Sequence, residues 1–317
     1  MTTQSTPRNF DLWGVPYDGA STLGRPGSRY APARIRESLS WITQRVQDGA
    51  IYSLESNAIH EVGDNLLTDR GDADVLPHDI EASLDACTDV VAQSIREGQV
   101  PIILGGDDSL LFPVARGMHD ALPGKIGIVH FDAHLDLLDH NPHQGKFSQS
   151  SGMRRSLELD RVQPENCIQI ASRHFNFPSS ADFKRTTGLA HLTVGEFQTL
   201  GPAAAARRIL DHVSGADHIF LSFDIDAIDP AFAPGSGAHE PGGLTSSEAL
   251  EVVRLLAPYC DGLAITEVNP MVDLGGATTT LAAYLLYHFA VFGSRSPIRQ
   301  NGEERQEFTP NRVMSKS

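Results

Sequence analysis

The sequence predicts an α/β fold built on a mostly parallel sheet with helices on both faces. Three observations predict it. Short apolar runs recur along the 317 residues, each followed by turn residues and then a helical period. No internal repeat and no Pro/Ser-rich linker divides the chain. Acidic residues gather where the apolar runs end, which is where ligands bind in parallel sheets.

The expected strands are, in order, FDLWGVP, VPIILGG, IGIVHFDAH, CIQIASR, HIFLSFDID and GLAITEVNP. Between the first two, IEASLDACTDVVAQSIREG predicts an amphipathic helix, because Ile80, Leu84, Cys87, Val91 and Ile95 share one face. After the third run comes the long polar loop LLDHNPHQGKFSQSSG, expected to be either a site loop or a mobile one. The organisation expected is one domain over residues 1–296. A polar tail over 297–317 would be either disordered or an intersubunit arm.

A hydrophobic content of 40% with 21% charged residues suits a soluble globular chain with a sizeable core. The net charge of −15 argues against nucleic acid or anionic lipid as a partner and would suit a small cation. Cys87, Cys167 and Cys260 lack any CxxC spacing and are expected as reduced core residues. No apolar signal core or membrane-length run is present, so a cytoplasmic protein is expected.

Two clusters could do chemistry. HFDAHLD places Asp132, His134 and Asp136 at alternate positions, on one face if the segment is extended. FDIDAIDP repeats the device with Asp224 and Asp226 and leaves Asp229 to the turn. A single acid at a strand end is more often a cap. Two D-x-D/H clusters in one cleft would repel unless cations were bound. Oxygen-rich ligation with an imidazole suits Mn²⁺ or Ni²⁺ better than thiolate zinc, and a pair of such ions activates water near neutral pH.

GVPYDGASTLGRPGSRYAPARIRES, EVGDNLL, LGGDDS, HFDAHLDL, LSFDIDAIDPAFAPGSGAHEPGGLT and ITEVNP together resemble the ureohydrolase family of arginases, agmatinases and guanidinobutyrases over nearly the whole chain. The resemblance implies a three-layer α/β/α fold, a binuclear metal site, trimeric or hexameric assembly, and hydrolysis of a guanidino group, usually to urea and an amine. By position it implies that Asp132 and Asp224 bridge two ions. Asp136 would complete the shell of one ion, His134 and Asp226 that of the other. Glu267 would face the substrate guanidinium.

The chain departs from that pattern twice. The family segment GGDHS carries a metal-binding histidine where this chain has Asp108. Relatives with GKYSHGTPFRR carry a loop histidine where GKFSQSSGMRR places Gln149, and an amide cannot exchange a proton near pH 7. The pattern resembles the metal-site-degenerate partner subunit of heteromeric members such as metformin hydrolase and dimethylguanidine hydrolase. The first reading is therefore an auxiliary subunit that assembles with an intact catalytic paralogue, as a hetero-oligomer of hexamer size. The alternatives are a self-sufficient binuclear amidinohydrolase and a non-hydrolytic binder of guanidino compounds. His140 and His143 could replace the missing ligand, though loop histidines are usually only solvated. Arg25 and Arg29 are expected to hold loops, and His239 to lie near the mouth.

Overall fold

A computed structural model describes residues 6–21, 25–63 and 65–296. Its centre is a sheet of eight strands: β1 (Phe10–Gly14), β2 (Leu67–Asp72), β3 (Val100–Leu104), β4 (Ile126–Phe131), β5 (Val162–Ile170), β6 (Ala190–Leu192), β7 (His218–Asp224) and β8 (Gly262–Thr266). The spatial order is β2-β1-β3-β8-β7-β4-β5-β6, and every neighbouring pair is parallel. The six apolar runs all form strands. The two strands not expected are β2 and β6, at opposite edges. LTDRGD is mostly exposed and AHL spans only three residues, so neither shows the continuous apolar run of a strand buried on both faces.

Helices α1 (Ala31–Thr43), α4 (Val194–His212), α5 (Ser246–Leu256) and α6 (Ala277–Gly293) cover one face of the sheet. Helices α2 (Ile80–Arg96) and α3 (Leu111–Ala121) cover the other. The strands show why two layers are needed. On β3, Ile102 and Leu104 enter the first core while Ile103 enters the second; on β4, Val129 and Phe131 enter the first and Ile126 and Ile128 the second. The result is the three-layer α/β/α fold. Helix α2 starts at its cap Asp79, whose carboxylate accepts from the Ala82 amide, and buries Leu84, Cys87 and Val91 as its periodicity predicts. The three cysteines are buried and outside any disulfide. Among the described residues no helix is long and apolar enough to cross a membrane. The proposed tail, 297–317, lies outside the described residues.

The strand order sets the site. β3, β8, β7 and β4 are adjacent at the middle of the sheet, so their carboxyl ends bring together four segments distant in sequence.

Candidate metal centre

The end of β3 turns through Gly105 and Gly106. A β-carbon on Gly106 would overlap the Tyr17 carbonyl, so only glycine lets the segment after β1 cross so closely. The two acids that follow have different tasks. Asp107 caps the short 3₁₀ turn Asp108–Leu110, accepting from the Ser109 amide at 3.1 Å, and its other oxygen accepts from the Ala20 amide at 2.8 Å. Burial pushes it up to about 7 despite these bonds. Asp108 instead faces the centre. Its amide donates to Glu267 Oε1 at 2.9 Å, and its Oδ1 accepts from the Thr266 hydroxyl at 2.7 Å.

From β4 come His130, Asp132, His134 and Asp136. His134 Nδ1 lies 3.2 Å from Asp132 Oδ1 and 3.1 Å from Asp226 Oδ2. Asp226 follows β7 in a turn capped by Asp224, which accepts the Asp226 amide at 2.8 Å. Asp226 Oδ1 in turn accepts from the Ala133 amide at 3.0 Å, which fixes the ends of β4 and β7 together. Asp136 and Glu267 both adopt left-handed backbone, with φ of 48° and 60°, rare for such residues and common at functional sites.

The electrostatics are those of a site short of cations. Burial first, then neighbouring carboxylates, push Asp136, Asp224 and Glu267 well above the usual carboxylate range, and Asp226 is raised for the same reason. Burial also opposes ionisation of Asp132, yet His130 and His134 outweigh it and hold Asp132 low. Burial pulls His130 down, but Asp108 and Asp132 outweigh that and push it up to about 10.

These residues fit a metal ion on their geometry. Ligand bonds of about 2.1 Å put neighbouring donors about 3.0 Å apart in an octahedron and about 3.4 Å apart in a tetrahedron. The separations of His134 Nδ1 from Asp132 and from Asp226 meet that spacing, and Asp108, His130 and Asp132 form a second convergent trio. Asp132 belongs to both. His130 is a residue the sequence analysis passed over. The signal was available, since His130 extends the alternation of Asp132, His134 and Asp136 one step back along the strand. Arg173 was missed as well: its guanidinium donates to the carbonyls of Asp226 at 2.7 Å and Glu240 at 2.5 Å, binding two site loops to each other.

Above the acids lies a cavity of about 410 Å³. Asp108, His134, Asp136, Asp224, Asp226 and Glu267 line its floor, and Leu137, Leu138, Phe175 and Phe177 give it an apolar wall. Gln149 and Ser150 also line it, so the long loop after β4 is a site loop. No arginine or lysine is among the described lining residues. His140 and His143 are exposed and join neither trio nor cavity. His239 Nε2 lies 2.7 Å from the Pro234 carbonyl oxygen, a loop contact. Arg29 pairs with buried Asp18, and the Arg25 carbonyl accepts from Asn269, so both positions hold loops. Asp229 accepts from the amides of Ala231 and Gly242 and holds its turn.

The family model of the arginase family matches residues 8–291. Proclavaminate amidinohydrolase of Streptomyces clavuligerus is 32% identical over 303 residues, covering 90% of this chain and 90% of that protein. Guanidinopropionase of Pseudomonas aeruginosa is 33% identical over 293 residues, covering 91% of this chain and 87% of that protein. The crystal structure of formimidoylglutamase from Bacillus subtilis matches with a TM-score of 0.81 at 28% identity, over 93% of this chain and 89% of that one.

Proposed function

The chain belongs to the arginase family, and from that premise we propose that it is the supporting, non-catalytic subunit of a hetero-oligomeric metal-dependent hydrolase. The reaction is cleavage of a C–N bond in a small guanidino compound, performed in the site of an intact paralogue. The observation that carries this reading is that Asp108 and Gln149 line the same cavity. At both positions the resembling sequences present an imidazole. Here a carboxylate adds charge to a floor already rich in carboxylates, and an amide cannot transfer a proton.

Asp132, His134 and Asp226 would hold a divalent ion, nickel or manganese, which supplies Lewis-acid polarisation of water when bound. Glu267 offers a buried carboxylate to a guanidinium. The absence of arginine and lysine among the described lining residues, with the apolar wall, favours an N-alkylguanidine or biguanide over a guanidino acid. Relatives such as guanidinopropionase are named for guanidino acids, and a carboxylate tail here would find no arginine or lysine among the described lining residues.

One observation favours the self-sufficient enzyme that releases urea. Asp136 and Glu267, raised well above the carboxylate range by burial and their neighbours, hold their protons more readily than ordinary carboxyl groups and so are candidates to donate or accept one in the cavity. The chain expressed alone and the chain co-expressed with an intact paralogue separate the two readings. The supporting role predicts no hydrolysis of agmatine, arginine, guanidinobutyrate, dimethylguanidine or metformin by the homo-oligomer. It also predicts a mixed oligomer that hydrolyses one of them. Turnover by the homo-oligomer that Asp132→Asn abolishes would establish the self-sufficient enzyme instead.

A further inference from the structure

Three buried polar atoms converge behind the cavity floor: Asp108 Oδ2, His130 Nε2 and Asp132 Oδ2. The imidazole nitrogen lies 3.4 Å from the first oxygen and 3.2 Å from the second. All three residues are at most 1% exposed, and none of the three atoms makes a well-directed hydrogen bond. Unsatisfied polar atoms this deep call for a specific cause. Charge-assisted hydrogen bonds between such groups run at about 2.7–2.9 Å, shorter than either separation here. Donors sharing one first-row ion are spaced at about 3.0–3.4 Å, and the neighbouring trio of Asp132, His134 and Asp226 shows the same interval.

We propose that Asp108, His130 and Asp132 form a site for a divalent first-row cation, in which His130 provides the imidazole that position 108 does not. Asp132 joins the two trios, its Oδ2 turned to His130 and its Oδ1 to His134. The Thr266 hydroxyl holds Asp108 Oδ1 and so aims Oδ2 at the trio, the orienting contact that metal ligands commonly receive. His130 does not line the cavity. Asp108 does, so an ion here lies between the cavity floor and the buried end of β4. It ties the turn after β3 to β4 and neutralises two buried carboxylates. That gives acids a reason to persist in a chain that performs no chemistry.

The proposal rests on the metal-centre reading and is tested apart from catalysis. The full-length chain is loaded with Ni²⁺ or Mn²⁺, desalted, and its metal content measured. About two ions per chain are expected for the wild type, about one for His130→Gln and about one for His134→Gln. X-ray absorption of the nickel-loaded wild type should count one imidazole per ion on average, a readout that stands even if His130→Gln fails to fold. A wild-type content of one ion or none, an unchanged content in His130→Gln, or half an imidazole per ion would overturn the site. The activity of a mixed oligomer bears on the supporting role alone, so the two ideas fail separately.

Discussion

The buried amide of Asp108 donates to Glu267 Oε1 at 2.9 Å. The carboxylate that we propose meets a guanidinium therefore also joins the end of β3 to the end of β8. Glu267→Ala leaves that amide without its partner, at a cost of about 1–3 kcal/mol. Glu267→Gln keeps an acceptor oxygen and should fold with little loss, while guanidinium binding falls about tenfold or more with the charge removed. Urea denaturation and calorimetric titration with dimethylguanidine read the two effects. Equal stability of wild type and Glu267→Ala would show that the tie carries no load.

Asp18 carries a second tie, between the segment after β1 and the turn before α1. It is buried, accepts from the Gly27 amide at 2.7 Å, and pairs with the half-exposed Arg29 guanidinium. Asp18→Ala removes the acceptor of a charge-assisted network, and we expect a loss of about 2 kcal/mol, the solvent exposure of Arg29 keeping it below the value for a fully buried pair. Chemical denaturation measures it. A loss within experimental error of zero would mean that the arginine loop is held by other contacts.

The pH response of the metal-stripped chain follows from the raised groups. Asp136, Asp224 and Glu267 bind protons in the fold at pH values where the unfolded chain has released them. Their contribution is complete below the ordinary carboxylate range and is lost as pH rises. His130, raised to about 10, adds to the same trend above its ordinary value. Asp132 is held low, so its contribution is lost only as pH falls into the acid range. In chelator the melting temperature should therefore decline from pH 5 to pH 9. Loading with Mn²⁺ or Ni²⁺ should reverse the slope, since ions bind the deprotonated ligands. A stripped protein that grows more stable toward pH 9 would refute the assignment.

Much of this arrangement was legible before the structure. The central strands β3, β4, β7 and β8 are buried on both faces, so their apolar runs announce them, and the acids after them mark the strand ends. β2 and β6 were illegible because an edge strand such as LTDRGD needs no apolar side chains on its exposed surface. The division of labour between Asp107 and Asp108 depends on which side chain meets the Ala20 amide, a contact 87 residues apart in sequence. His130 escaped for a different reason. Inside an apolar strand it reads as a core residue, and its convergence with Asp132 on Asp108 from another strand is a contact that only the fold reveals.

A supporting subunit predicts an asymmetry between the two chains of a mixed oligomer. Asp224 lines the cavity here but belongs to neither close trio, so Asp224→Asn alters this chain's floor while sparing His130 and His134. If the working site lies in the paralogue, this substitution should leave turnover of the mixed oligomer within about twofold of wild type. The equivalent substitution in the paralogue should remove most of it, a loss of at least about a hundredfold, because a ligand to the working ions is gone. The thermodynamic reason to keep the supporting chain is mass action: a partner that binds only the folded catalytic subunit stabilises it, needing surface and fold but no turnover. Steady-state rates of the two mixed oligomers, normalised to metal content, decide the matter. Equal losses from the two substitutions would mean that both chains carry working sites.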